Sequence, residues 1–531
     1  MRSSKVVPAE AAARLIGDGD VVTVSSSSGL GCPDAMLAAI GERFRQEGHP
    51  QRLTLLHPIA AGDMYGIKGI DHLAKPGLID TIVAGSFPSG SSSLPMPDIW
   101  RMIAGNEIRA YNLPSGVLFD MHRDAAAKRP GVLTKVGLDT FVDPARQGGA
   151  MNARSQAEPI VRKLNFEDQA WLFFPNIVPR VAIIRATTAD ERGNLSYEHE
   201  GALLGGCEQA LAVRNNGGIV IAQVKRVVKA GSLPTQCVHV PCNLVDYIVV
   251  DPTQKQTTQI DYDPEISGEI KVADDTFSFA EWSAEKVIAR RAAMELAHGD
   301  AVNLGFGISA NVPRVLLEEG LDGHVTWAIE QGAVGGMPLL GFAFGCSANA
   351  DAIVPSPTQF TYFQGGGFDI SLLSFMQIDR AGNVNVSWLP SKPYLTAGCG
   401  GFIDITTHAK RLVFSGFFTA GARLSAGAGR LTIEQEGRSR KFVRDVDHVT
   451  FSGAMALERG QEVRYVTERC VMRLAPDGLE VIEIAPGIDV RRDVLEQADF
   501  PLAVASDLKT MDAALFEDAP YGLQLKEPRR A

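Results

Sequence analysis

Residues 19–37 read GDVVTVSSSSGLGCPDAML, and residues 299–317 read GDAVNLGFGISANVPRVLL. Gly19/Gly299, Asp20/Asp300, Val22/Val302, Pro33/Pro313 and Leu37/Leu317 fall in register at an offset of 280. Each copy reads as a Gly-Asp turn, a short β-branched strand, a small-residue loop and a helix with Pro near its first turn. A second echo pairs Asp190-Glu191-Arg192-Gly193-Asn194 with Asp379-Arg380-Ala381-Gly382-Asn383, both read as tight turns between strands. Two related α/β halves are the simplest account of a chain that repeats itself in this way.

Working outward, amphipathic helices are expected over Pro8–Ile16, 34–45, 283–297 and 312–319. Strands are expected over Gly218–Val224, Val245–Val250, Val325–Ile329, Val384–Trp388 and Arg411–Ser415. This alternation predicts the α/β class, with two open, largely parallel sheets covered by helices. The junction falls in the polar stretch 252–282, which carries Pro252, Pro264 and Gly268. The expected domains are therefore 1–255 and 283–531, with 256–282 as linker. Segment 427–446 alternates charged and apolar residues and reads as an exposed hairpin.

Composition narrows the class of function. The 531 residues are 45% hydrophobic and 21% charged, with net charge −11, an ordinary globular composition. The acidic balance and the lack of a dominant basic patch argue against nucleic acid as a partner. No apolar stretch has the length of a signal peptide or a bilayer span, so no membrane partner and a cytoplasmic location are expected. The seven cysteines (32, 207, 237, 242, 346, 399, 470) form no regular framework and are expected as free thiols. Cys237-Val-His239-Val-Pro-Cys242 has zinc-ligand residue types at the wrong spacing and without a second pair, so no metal is expected. Glu198-His199-Glu200 reads as a solvated turn. Cys346 reads as a small buried residue, and Cys399 as reactive only beside an open pocket.

The chemistry points to Glu330. In HVTWAIEQGAVGG (324–336) an apolar run ends in one carboxylate, and Gly332, Gly335 and Gly336 follow. Ligands bind at the C-terminal ends of strands in open α/β sheets. Glycines let a ligand approach the backbone, and a carboxylate held there could act as a nucleophile. A solvent-facing glutamate is the plainer reading of the same residue. Further glycine blocks lie in the same half at Gly305–Ser309, Gly365–Gly367, Gly398–Gly401 and Gly421; tight turns and close strand packing also account for these.

Longer blocks carry a family resemblance. AIEQGAVGGMP (328–338), FQGGGFDISLLSFMQIDRAGNVNVS (363–387), LTAGCGGFIDIT (395–406) and APGIDVRRDVLEQADF (485–500) resemble the second half of family I coenzyme A-transferases, in particular the fused acetate/propionate type. IRAYNLPSGV (108–117), the run 123–149 and ADERGNLSYEHE (189–200) resemble the first half. The likeness spans about residues 5 to 520. It implies CoA transfer between an acyl-CoA and a small carboxylic acid, in short-chain acid metabolism, by a homodimer or homotetramer. It implies Glu330 as nucleophile, Gly400 and Gly401 as oxyanion donors, and Gly305, Phe306, Gly307, Ile308 and Ser309 as the CoA-contacting loop. It also implies no tightly bound cofactor: CoA is a substrate and, as a covalent glutamyl thioester, an intermediate.

Two departures from the family pattern stand out. Ser25–Ser28 replaces Gly-Gly-Phe, and Pro114-Ser115-Gly116 replaces Pro-Gln-Gly. A serine hydroxyl is shorter than a glutamine amide and makes fewer hydrogen bonds. The expected result is an acid pocket lined by Ser26, Ser27 and Ser115, roomier than one built for acetate; neutral loop drift is the alternative. The serine-rich stretch 85–93 carries the same expectation. Three other functions compete: an acyl-CoA hydrolase on the same fold, a nucleotide-binding dehydrogenase, and a non-catalytic binding module. The dehydrogenase lacks its Gly-x-Gly-x-x-Gly fingerprint after the first strand.

Overall fold

The computed structural model describes residues 5–89 and 94–528. Gly90–Ser93 of the serine-rich stretch lie outside them. The first half is built on seven strands: β1 (Val21–Val24), β2 (Leu53–His57), β3 (Ile79–Ala84), β4 (Arg109–Asn112), β5 (Val181–Asp190), β6 (Ile219–Val228) and β7 (Tyr247–Val250). They run parallel in the order β7-β6-β5-β1-β2-β3-β4. The second half is centred on β8 (Ala301–Leu304), β9 (Thr326–Ala328), β10 (Ile370–Ser374), β11 (Arg411–Ser415) and β12 (Glu462–Val466), parallel in the order β9-β8-β10-β11-β12. Strand for strand this matches β2-β1-β5-β6-β7 of the first half. The chain is therefore α/β with two related, largely parallel sheets. Antiparallel strands extend the second sheet beyond β12, at Cys470–Ala475 and Gly478–Ile484.

Local chemistry explains the elements. All ten residues of β5 are buried, as expected of a strand covered on both faces. Helix α1 (Asp34–Glu47) starts directly after Pro33 and ends at Gly48, whose φ of 72° supplies the left-handed stop. The paired turns are built alike. Asp190 Oδ1 accepts the amides of Arg192, Gly193 and Asn194, and Asp379 Oδ1 accepts those of Ala381 and Asn383. In both, the Asn amide returns a bond to the other carboxylate oxygen at 2.9 Å.

Four expectations need correction. The first helix covers only Ala9–Ala13. The strand expected over 384–388 stops at Asn385, whose side-chain oxygen accepts the Ser387 and Trp388 amides and turns the chain. The hairpin is shifted to Arg423–Gln435, turning at Ala428-Gly429, while Ser439–Arg440 pairs with Thr419–Ala420 instead. Glu200 is not solvated: it is 5% exposed and paired at 3.0 Å with Arg185, which is 4% exposed. The start of the polar junction packs on the first half: Gln256, Thr257 and Thr258 are buried, with Gln256 donating to the His199 carbonyl and Thr258 to Asp63. Among the described residues no helix is long and apolar enough to cross a membrane.

The halves share apolar packing. Phe119 and Ile59 join the core cluster of the second half, with Phe119 5.6 Å from Phe360 between ring centroids. Cys399 and Ile403 enter a cluster of the first half. Burying a side chain such as Phe119 contributes about 2 kcal/mol, so the seam is core rather than a wet contact.

Candidate active site

Glu330 follows β9 by two residues, at the C-terminal edge of the second sheet. Ala328 and Ile329 before it are buried, which fixes the backbone. Gly332 has φ 120° and lies against the Val354 carbonyl, where no side chain fits, so the loop turns back sharply. The Glu330 side chain sits below the surface with a part-exposed face. Burial pushes its pKa up to about 7, offset partly by a hydrogen bond from the Gly401 amide.

That amide belongs to the turn Gly398–Gly401, which leads into a helix over Phe402–His408. The first half holds the turn in place. Cys399 N donates to Asn112 Oδ1 at 2.9 Å, Gly400 N to the Gly85 carbonyl at 2.7 Å, and Ser115 N to the Gly400 carbonyl at 2.9 Å. Asn112, at the end of β4, also donates to the Ala84 and Gly85 carbonyls. Two strand ends of one half, those of β3 and β4, thus grip the turn that meets the nucleophile candidate of the other. A Cβ on Gly401 would lie 2.7 Å from Glu330 Oε2 and 2.5 Å from a Phe360 ring carbon. Only glycine permits this approach.

The geometry separates the expected residues. Of the two oxyanion candidates, Gly401 aims its amide at Glu330, whereas the Gly400 amide is taken by Gly85. In the loop after β8, Phe306 is 70% exposed and Gly307 is exposed with φ 104°, while Ile308 is half-buried. Ser309 is turned inward: it is buried and its hydroxyl donates to the Leu373 carbonyl. Ser27 reaches the seam, accepting from Gln331 Nε2 at 3.2 Å. Ser26 does not present its hydroxyl to a pocket, because it donates to the Ser28 carbonyl at 3.0 Å. Ser115 lies beside the Gly400 turn, fully enclosed and with its hydroxyl unpartnered in the structure. Cys399 is buried and its thiol is pushed well up by burial and by Asp404, so it offers no ready thiolate. Cys346 is likewise buried, pushed up to about 12.

Several residues at this site carried no signal of their own. Asn112, Gln331, Gln364 and Asp404 read in the sequence as ordinary polar residues beside glycines. Their partners lie far along the chain, 287 residues away for Cys399–Asn112 and 288 for Gly116–Asp404.

Comparison with known proteins agrees with this geometry. The model of the coenzyme A transferase family matches residues 6–251. A caffeate CoA-transferase of Acetobacterium woodii is 40% identical over 525 residues, covering 98% of this chain and 99% of its own. The acetate CoA-transferase YdiF of Escherichia coli (strain K12) is 39% identical over 523 residues, covering 98% of this chain and 95% of its own. A crystal structure of acyl-CoA transferase YdiF from E. coli O157:H7, a thioester complex with CoA, superposes with a TM-score of 0.90 at 36% identity, covering 99% of this chain and 98% of that one. With two matching sheets, a half-buried carboxylate at a strand end and this near full-length likeness, the chain belongs to the coenzyme A transferase family.

Proposed function

We propose that this chain is an acyl-CoA:carboxylate CoA-transferase working by ping-pong exchange through a glutamyl-CoA thioester at Glu330. The observation that carries the reading is the Glu330 carboxylate: half-buried at a strand end, with its Oε2 beside Gly401 in a turn that the first half holds. The ionised carboxylate attacks the thioester carbonyl, the C–S bond breaks and CoA thiolate leaves, forming an acyl-glutamyl anhydride. The thiolate then adds to the glutamyl carbonyl and expels the free acid. A second acid runs the steps in reverse. One thioester is exchanged for another, so no ATP is consumed.

The Gly401 amide has a specific task in this scheme. When thiolate adds to the glutamyl carbonyl, the oxyanion forms on an oxygen of Glu330 itself, beside the Gly401 amide. A donor fixed before charge develops costs no reorganisation in the transition state. Gly400 serves by shaping the turn. Phe306 and Gly307 form the exposed part of the proposed CoA loop, on the same sheet edge as Glu330, flanked by the half-buried Gly305 and Ile308 and anchored by Ser309. Binding energy from the remote parts of CoA then helps to order the reacting end.

In the same reading, the acid pocket near Ser27 and Ser115 takes a larger or more oxygenated acid than acetate. The 40% identity to a caffeate CoA-transferase supports this, since caffeate is such an acid. Residues 1–255 and 283–531 are the two domains and 256–282 the linker; the placement of all twelve parallel strands within those bounds supports the division. The enzyme is proposed to be a cytoplasmic homodimer or homotetramer, which sedimentation and fractionation test.

The test is a panel of acyl-CoA donors crossed with carboxylic acids. Transfer should require an acceptor acid; thioester loss without one would favour a hydrolase. Glu330→Ala should abolish transfer while CoA still binds. Borohydride added after acyl-CoA should modify Glu330 alone, read by peptide mass, and an unmodified Glu330 would falsify the assignment. Ser115→Gln should shift preference toward smaller acids.

A further inference from the structure

Asp404 lies in the first turn of the helix that begins after Gly401. It is 0% exposed, yet it carries a carboxyl group. Its Oδ2 accepts the Gly116 amide at 2.9 Å, at the start of the helix Ser115–Ala126 in the first half. Its Oδ1 accepts Gln364 Nε2 at 3.0 Å, at the end of the helix Ser356–Gln364. A Cβ on Gly116 would lie 2.5 Å from Asp404 Oδ1 and 2.7 Å from Gln364 Nε2, so these three groups are closely fitted. The adjacent residues, Cys399 and Gly400, make the other bonds across the seam. Asp404 is thus the one carboxyl group, among the described residues, in the set of hydrogen bonds around this turn.

We propose that Asp404 is a positioning residue for transfer: through Gly116 it clasps the turn 398–401 to the first half, with Gln364 of its own half holding its other oxygen, and it fixes where the Gly401 amide meets Glu330. The inference rests on the reading of Glu330 as nucleophile. Buried carboxylates are costly unless paired with a cation, and the clasp offers Asp404 none. The ionisable groups around it are Asp120 on the Ser115–Ala126 helix with Arg123 beyond, Glu330 on the loop after β9, and Cys399 on its own turn. The Ser356–Gln364 helix brings the neutral Gln364. Burial, with Asp120 and Glu330 adding to it, raises the Asp404 carboxyl to about 8. The raised pKa favours the neutral carboxyl near neutral pH. Ionisation would set a second negative charge behind the amide that must stabilise the oxyanion.

The test compares Asp404→Ala and Asp404→Asn with the wild type. It measures kcat and KM for acyl-CoA across pH about 8, formation of the Glu330–CoA thioester by mass, and Tm. Asp404→Ala should lower kcat by about a hundredfold, as loss of fixed geometry does, with KM nearly unchanged. Asp404→Asn mimics the neutral acid and should recover at least about tenfold of that loss. Wild-type kcat should fall as pH rises through about 8, and Asp404→Asn should lack that fall. If Asp404→Ala does not fold, Gln364→Ala, at a half-buried helix end, opens the same clasp. Wild-type kcat in the Ala variants, a loss confined to KM and Tm, or an alkaline fall retained in Asp404→Asn would each overturn the proposal. Failure of the Glu330 reading itself would look different, because no thioester would then form on Glu330 in the wild type.

Discussion

Glu330 is where residue-scale energetics and chemistry meet. Its pKa of about 7, against 4.5 for a free glutamate, means the fold binds the neutral acid more readily than the carboxylate. The nucleophile is the carboxylate, so kcat/KM should fall about tenfold per pH unit once pH drops well below about 7. The stability effect has the opposite sense. With the folded pKa raised, the stabilising contribution is complete below 4.5 and is lost as pH rises through about 7. That displacement corresponds to about 3 kcal/mol at most, and partial exposure lowers it. Glu330→Gln should therefore raise Tm at alkaline pH and leave it unchanged near pH about 4, while abolishing transfer. An equal Tm gain at both pH values would show that the site does not strain the carboxylate. Gly401→Ala tests the close approach. Its φ of −87° suits any residue, so backbone strain is not at issue. The new methyl would push on Glu330 Oε2 and Phe360, and kcat should fall about a hundredfold with the fold retained by circular dichroism. A Gly401→Ala enzyme of normal kcat would remove this amide from the mechanism.

Individual elements show why some readings survived and others failed. The carboxylate at the end of Val325–Ile329 was legible because an apolar run, one charge and three glycines coincide within local sequence. The Asp-x-x-Gly-Asn turns were legible for the same reason: each aspartate bonds amides two to four residues on. The strand over 384–388 failed because a single Asn385 side chain outcompetes the ladder for two amides, which apolar alternation cannot register. Glu200 was misread because its partner, Arg185, sits within an apolar-looking strand. This pair also supplies a test. Removing one partner of a buried ion pair leaves an uncompensated charge, so Arg185→Met should destabilise by about 3–5 kcal/mol in urea unfolding. Arg185→Met with Glu200→Leu should recover most of that loss, because two apolar side chains replace two desolvated charges. Simple additivity of the two single changes would mean the charges are not coupled.

On the scale of the whole molecule, the repeat at 19–37 and 299–317 was enough to anticipate two sheets of one topology, but it could not say how they face each other. The site depends on that relation. Glu330, Gly401 and Asp404 come from the second half, while Gly85, Asn112, Ser115 and Gly116 come from two strand ends of the first. If the seam is held by its hydrogen bonds and by apolar contacts such as Phe119–Phe360, covalent continuity between the halves is not needed once they have folded. The junction allows this to be tested. Gln256–Thr258 are buried and belong to the first half's packing, whereas 273–276 is exposed on every residue. A protease site inserted between Asp274 and Asp275 should be cut without disturbing either sheet, since exposed loops accept insertion and nicking. The two fragments should then elute together on size exclusion at low protein concentration and keep transfer activity within about a factor of three. Urea should unfold them at a lower midpoint than the intact chain, and the midpoint should rise with protein concentration, because nicking turns an intramolecular docking into an association. Fragments that separate under native conditions, or that stay together without activity, would show that the 256–282 segment does more than join the halves and is itself needed to hold the Gly401 turn against Glu330.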